Sequence, residues 1–451
     1  MNKLGILLAG AIFTAGAVGF GADYAAVVSR KTNGNAEWQR VVEALVQQHH
    51  ATVVTYESSV TEALPALRRQ FPRYVCFVAQ PAEVSREFVA AVHRMTRQFD
   101  DDPYTDCFWG ILTGYNAANT LRIARWQKPL VVHKVAGGTD VALPMCDEGV
   151  WYCELNQGRM VKKEKRGAPQ ELKGPADTTE ALVKTLTDYQ ADLFVTSGHA
   201  TEHDWQIGYR YRNGQFRCEN GVLYGLDTQG RRHPIQSRNP KLYLPVGNCL
   251  MGHIDGPDAM ALAFLNSGGV NQMIGYTVTS WYGYAGWGCL DYFLEQPGRY
   301  TFAEAFFANQ AALIHRLQST PLSQADKEGL LYDRDTVAFY GDPAWEARMA
   351  DHDRAWDQKL LEHKGEFTFE IRPRWGAKSF APVNTNGSQR GGRPIIEFFA
   401  HRLKNITVTE GQDLQPVVSS KFVLVPNPGR CDPNRVYRIR FRADRAEAPP
   451  R

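Results

Sequence analysis

Asp192-Leu193-Phe194-Val195-Thr196-Ser197-Gly198-His199 and Leu242-Tyr243-Leu244-Pro245-Val246-Gly247-Asn248-Cys249 are the two stretches on which the fold turns. Each is a short apolar run that leads straight into a reactive side chain. Runs of this length and composition suit strands buried on both faces of a parallel sheet. In such a sheet the carboxyl ends of the strands form one edge, and ligands bind in the crevice outside it. A histidine and a cysteine placed just beyond two such strands therefore fall on the same edge.

Outward from these strands the text keeps alternating. Tyr24–Val28, Thr52–Tyr56, Tyr74–Val78, Leu130–Val135, Val270–Val278 and Val337–Tyr340 read as further strands. Between them Ala36–His49, Val60–Gln70, Pro81–Phe99, Thr178–Tyr189, Ala259–Leu265 and Thr301–Leu317 carry apolar residues at helical spacing. Asp177 is placed to cap the helix from Thr178. This βαβ order predicts an α/β fold, a doubly wound and mostly parallel sheet with helices on both faces. After Trp356 the pattern changes to short strands separated by Gly, Pro and Asn clusters, with no helix between them. That composition predicts a small all-β sandwich over residues 364–451, following an α/β domain over 23–363.

The chemistry wants a His–Cys pair at the shared edge. A thiol attacks a peptide carbonyl as thiolate, and an adjacent imidazole takes its proton and later protonates the leaving amine. The developing oxyanion needs donors, and the backbone N–H groups around Gly198, Ala200 and Cys249 are available for an oxyanion hole. Gly198 and Gly247 let the backbone approach a substrate closely. His199 precedes Cys249 by 50 residues, the order and spacing of caspases and the reverse of papain-like enzymes.

With 451 residues the chain is too long for one ordinary core. A formal net charge of +3 and the lack of a basic face interleaved with aromatics argue against a nucleic-acid partner. The basic run Lys162-Lys163-Glu164-Lys165-Arg166 reads as a solvated loop. Lys3 followed by the small, apolar run Leu4–Ala22 has the layout of a secretory signal peptide, so residues 1–22 are expected to be removed on export. The mature protein is then secreted, periplasmic or at the cell surface, and no later segment is apolar enough to span a membrane. Eight cysteines show no CxxC pair, so a zinc-ribbon framework is absent. In an exported chain some could pair, Cys146 and Cys153 being the closest in sequence.

Six blocks in order carry a family resemblance: Tyr74-Val-Cys-Phe-Val78; Asp100-Asp-Asp-Pro-Tyr-Thr-Asp-Cys-Phe-Trp-Gly110; Thr196-Ser-Gly-His199; Leu244-Pro-Val-Gly-Asn-Cys249; Ile274-Gly-Tyr-Thr-Val-Thr-Ser-Trp281; and Phe339-Tyr-Gly-Asp-Pro343. Together they resemble the gingipain-type cysteine peptidases, across roughly residues 24 to 350. The resemblance implies a caspase-like fold, an immunoglobulin-like module after it, polypeptide substrates, and His199 and Cys249 as the catalytic pair. It also sets Trp281, with Tyr282 beside it, at the wall of the pocket for the residue preceding the cleaved bond. The chain departs from the family in four ways. Ala200 stands where glycine follows the histidine, and Trp109-Gly-Ile-Leu112 lacks the usual basic residue. No propeptide is expected between signal and first strand. The family's third, acidic group maps to Ala136, leaving Asp140 as the nearest carboxylate to orient His199. Asp140 or Asp147 could give a pocket for a basic side chain.

Two other readings remain open at this level. His199-x3-His203 and Cys249-x3-His253 could form a Cys/His zinc site, or the chain could keep a peptidase fold purely for binding. No cofactor is expected; Asp100-Asp101-Asp102 could hold a structural Ca²⁺ or be a solvated turn.

Overall fold

The computed structural model describes residues 23–319 and 321–446. The expected leader, residues 1–22, and the tail from 447 lie outside the described residues. A single sheet of twelve strands dominates the α/β part. Its order is Thr52–Tyr56, Tyr24–Ser29, Tyr74–Val78, Phe108–Leu112, Val337–Tyr340, Val270–Tyr276, Lys241–Pro245, Leu193–Thr196, Lys134–Gly137, Glu148–Tyr152, Arg159–Lys163 and Gln170–Lys173.

The first five strands run parallel to one another. The next five also run parallel among themselves. At the seam between the two blocks, Val270–Tyr276 is antiparallel to Val337–Tyr340, with Met273 opposite Tyr340 and Tyr276 opposite Val337. The blocks therefore point opposite ways, and the sheet has two carboxyl edges rather than one. Arg159–Lys163 and Gln170–Lys173 extend the second block as antiparallel strands. The basic run thus begins inside a strand rather than in a loop. Lys163 is buried there, its ammonium donating to the carbonyls of Cys146 and Asp147. At the outer end all four residues of Gln170–Lys173 are exposed.

The central strands are apolar because both faces are covered. Tyr24–Ser29, Lys241–Pro245 and Val270–Tyr276 are buried along their whole length. Helix Ala36–His49 illustrates how the covering layer is encoded. Asn35 caps it, accepting from the N–H of Glu37 at 3.0 Å and of Trp38 at 3.4 Å. Trp38, Val41, Val42 and Leu45 form its buried face, and His50 ends it in the left-handed region, at φ 53°. Each such side chain contributes on the order of 2 kcal/mol through burial.

A four-stranded antiparallel sheet, Asp204–Gln206 through Arg232–Ile235, fills the connection between the His199 and Cys249 strands. Its Phe216 stacks on Phe194 at 6.1 Å, so it packs against the main sheet. Beyond it, Trp356–His363, Glu366–Pro373, Tyr437–Arg445 and Leu403–Glu410 form one antiparallel sheet, and Ile395–Phe398, Phe422–Val425 and Val417–Val418 another. Phe369, Ile439 and Phe441 from the first share a core with Ile395, Val423 and Val425 from the second. This β-body begins at Trp356 rather than at 364, because Trp356–His363 is its outer strand. It is joined to the α/β part by apolar contacts such as Phe108–Phe398 at 5.0 Å and Tyr104–Phe422 at 5.0 Å. Among the described residues, no helix is long and apolar enough to cross a membrane.

Candidate functional site

The second block delivers five loops to its carboxyl edge, after Gly137, Tyr152, Thr196, Pro245 and Tyr276. After Thr196 the chain turns sharply at Gly198, whose φ of +94° only glycine adopts without strain. Ser197 accepts from the Trp205 indole N–H at 2.8 Å, and the His199 carbonyl accepts from Gln206 N–H at 2.9 Å. The backbone is thereby pinned on both sides of His199. Its imidazole is exposed and stacks on the Tyr209 ring, with centroids 4.7 Å apart. Ala200 pairs with Trp205 in an isolated bridge and has no positive φ, so its methyl group is accommodated without strain.

The cysteine loop is stitched to this turn by one buried side chain. Asn248 donates from Nδ2 to the Gly198 carbonyl at 3.0 Å and accepts from Thr196 Oγ1 at 2.7 Å. Thus the residue before Cys249 is bonded directly to the residue before His199. The strands beneath are register neighbours, Thr196 opposite Pro245. His199 and Cys249 therefore share one edge. Cys249 is half-buried, and its sulfur accepts the Ser280 N–H at 3.2 Å. Leu250, directly after it, takes a left-handed conformation at φ 55° and donates its N–H to Val278 at 3.0 Å. A bulky residue held there is strained, and such strain persists where surrounding structure over-determines it. Among the described residues, the N–H groups of Gly198, Ala200 and Cys249 have no acceptor.

Trp281 follows Ser280 and is 56 % exposed, so its ring stands in the open beside the sulfur's donor. Tyr282 meets that ring edge to face, with centroids 5.7 Å apart, but is itself buried. It is 7 % exposed, and its hydroxyl donates to Asp326 at 2.8 Å, with burial pushing it up to about 12. It is a packing residue rather than a second wall of the pocket.

The acids fall differently from the sequence expectation. Asp140 lies on the correct edge, but its carboxylate accepts from Asn384 Nδ2 at 3.2 Å and makes no contact with His199. Burial holds it above the ordinary carboxylate range. Asp147 is at the amino end of its strand, on the opposite edge, clamped between His133 Nδ1 at 2.5 Å and His352 Nε2 at 2.8 Å. Glu154, unremarked in the sequence, is the carboxylate behind the histidine turn. Its Oε1 accepts from Thr139 Oγ1 at 2.7 Å and Ser197 Oγ at 3.3 Å. Its backbone carbonyl accepts from Tyr209 N–H at 2.6 Å, the residue that carries the ring under His199. Glu154 therefore holds both neighbours of the imidazole. Its signal was present: Gly149-Val150-Trp151-Tyr152 is an apolar run that leads into an acid, as the other two lead into His and Cys.

His199, His203, Cys249 and His253 do not converge into a ligand set. His203 instead bonds the Asp258 carbonyl at 3.0 Å and Asp255 at 3.0 Å. Glu202, His203 and Asp255 do approach one another, as do Asp100, Asp102 and Asp106. In the second group burial pushes Asp102 up to about 6. The Lys421 ammonium from the β-body supplies positive charge beside these acids, and Ser420 Oγ donates to Asp100 at 3.1 Å. All eight cysteines are free thiols, Cys146 and Cys153 included. No protein-family model, no curated protein and no solved structure matches this chain.

Proposed function

We propose that the chain is a cysteine peptidase, with His199 as base and Cys249 as nucleophile. The observation that carries this reading is the Asn248–Gly198 bond, which holds an exposed imidazole and a half-buried thiol on adjacent loops of one sheet edge. In the mechanism His199 takes the Cys249 proton, the thiolate attacks the substrate carbonyl carbon, and a tetrahedral oxyanion forms. The unspent N–H groups of Ala200 and Cys249, with Gly198 beside them, are the donors offered to that oxygen. The imidazolium then gives its proton to the leaving amine. Water, deprotonated by His199, hydrolyses the acyl-enzyme and frees the thiol. Glu154 orients the histidine turn from behind, and Trp281 lines the pocket for the residue preceding the cleaved bond.

On this reading the α/β part is caspase-like and the seven-stranded β-body immunoglobulin-like, as the resemblance to gingipain-type peptidases implies. Residues 1–22 act as an export signal, and polypeptides are the substrates. A positional peptide library assayed with the wild-type protein and with Cys249→Ala tests the chemistry. We expect cleavage by the first and a loss of about 10³-fold or more in the second. Equal turnover by both refutes the thiol mechanism. A wild-type protein that cleaves nothing, and whose Cys249 reacts with iodoacetamide no faster than in His199→Ala, makes it a binding protein on a peptidase scaffold.

A further inference from the structure

Between the strands Glu366–Pro373 and Ile395–Phe398 the β-body sends out a strap rich in Gly, Asn and Pro, residues 380–394. It leaves its own domain and lies along the catalytic edge of the α/β sheet. The strap is anchored by buried charge. Arg390 Nε meets Asp291 Oδ1 at 2.7 Å, its other nitrogens bond Glu295 and the Asn386 carbonyl, and Arg393 reaches Asp291 at 3.2 Å. Arg390, Asp291 and Glu295 are each at most 6 % exposed. Paired charges this deeply buried hold one geometry, since separating them leaves an ion without solvent.

The anchored strap touches both walls of the site. On the cysteine side Gly387, at φ +98°, lies against Trp287, where a Cβ would come within 2.3 Å of the ring. The same indole abuts Gly247, two residues before Cys249, where a Cβ would meet Nε1 at 2.7 Å. On the histidine side Asn386 Nδ2 donates to Thr139 Oγ1 at 3.1 Å, the Asp140 carbonyl at 3.3 Å and Glu154 Oε1 at 3.3 Å. Glu154 Oε1 thus collects donors from three separate parts of the chain: Thr139, Ser197 beside the histidine, and Asn386 of the β-body.

We propose that Asn386 is a positioning residue for the reaction, so that the peptidase site is completed by the carboxyl-terminal domain. Its amide fixes the Glu154 carboxylate, which in turn holds the Ser197–His199 turn against the cysteine loop. The inference rests on the His199–Cys249 reading and assigns the β-body a part in catalysis rather than mere support.

Full-length Asn386→Ala and Asn386→Asp, assayed beside wild type on a peptide it cleaves, test this. The donor role predicts kcat lowered about tenfold in Asn386→Ala with KM within about twofold. Asn386→Asp keeps the shape but sets an acceptor against Glu154, so it falls below Asn386→Ala at neutral pH. As the pH is lowered, its rate relative to wild type climbs, because a protonated carboxyl regains a donor. A purely packing role predicts a harmless isostere and no such pH trend. If Asn386→Ala fails to fold, the isosteric variant alone carries the test. Wild-type kcat in Asn386→Asp at neutral pH overturns the role of Asn386 while leaving the peptidase standing. A wild type with no turnover removes both together.

Discussion

The two blocks of the sheet are built alike and end differently. Both contain five parallel strands, and each presents one carboxyl edge. At the edge of the first block one carboxylate gathers the neighbouring donors. Glu83 accepts from Ser29 Oγ, Thr32 Oγ1 and the Gln80 N–H, while Ser29 Oγ also caps the short helix Arg30–Asn33. At the edge of the second block Asn248 and Glu154 are likewise committed to the scaffold, yet the His199 ring is left exposed and the Cys249 sulfur only half-buried, bonded to the Ser280 backbone. A sheet edge is thus only an opportunity. The second edge differs in keeping its imidazole out of the scaffold's hydrogen bonds, which a reactive site needs.

The contrast has measurable edges. Its largest effect is on rate: His199→Ala lowers kcat/KM by about 10³-fold or more and leaves the melting temperature unchanged, since the ring is exposed. Steady-state kinetics with a thermal melt checks both halves, and a large loss of stability would place His199 among the structural residues.

Next comes the seam, against which the helices Arg86–Met95 and Gln324–Asp333 each set a buried titratable group. His93 bonds the Val337 carbonyl at 2.8 Å, and burial lowers it from 6.5 to about 4. Asp333 bonds the Tyr276 hydroxyl at 3.2 Å, and burial raises it from 3.8 to about 6. The unfolded chain binds the extra proton at His93 between these limits, so that contribution is present above pH 6.5 and lost as pH falls toward 4. Asp333 works the other way: its contribution is present below pH 3.8 and lost as pH rises through 6. Each amounts to about 3 kcal/mol at the far end of its window. Denaturant unfolding at a series of pH values should show Asp333→Asn gaining stability at pH 7, and His93→Gln losing the acid-side slope.

Smaller again is Glu83→Ala, which strands the donors of the first edge and costs about 2 kcal/mol of stability with peptide turnover retained. A loss of turnover there would mean that the two edges are coupled. Smallest is Gly198→Ala, which forces an L residue to φ +94° at a cost of about 1 kcal/mol. A fall in kcat larger than the change in stability would locate that strain at His199.

Much of this was legible in the chain itself, for physical reasons. Strands buried on both faces have to be continuously apolar, so Leu193–Thr196 and Lys241–Pro245 announce themselves, and the reactive residue follows each. The reversal of direction at the seam is not legible, because Val337–Tyr340 has the same composition whichever way its neighbour runs. Tyr282 reads like Trp281, and only the packing around the pair leaves one ring exposed and buries the other. Asp140 stands out in the sequence and Glu154 does not, because Glu148–Tyr152 opens on an acid, which hides the parallel with the other two strands. Asn386 carries no local signal at all. It sits in a stretch that reads as a loop, and its partners at 139 and 154 are more than two hundred residues away in sequence.

Gln170–Lys173 is an exposed strand at one outer end of the sheet. A wide ladder that stops at a bare rung can recruit a second molecule by adding strand to strand, the first step toward fibres. Glu171 and Lys173 put opposite charges on one side of that rung, and Arg159 is already paired with Glu171 at 3.1 Å. An incoming copy would have to strip water from these ions to dock. Charge thus makes this rung a poor docking partner for a second copy of itself.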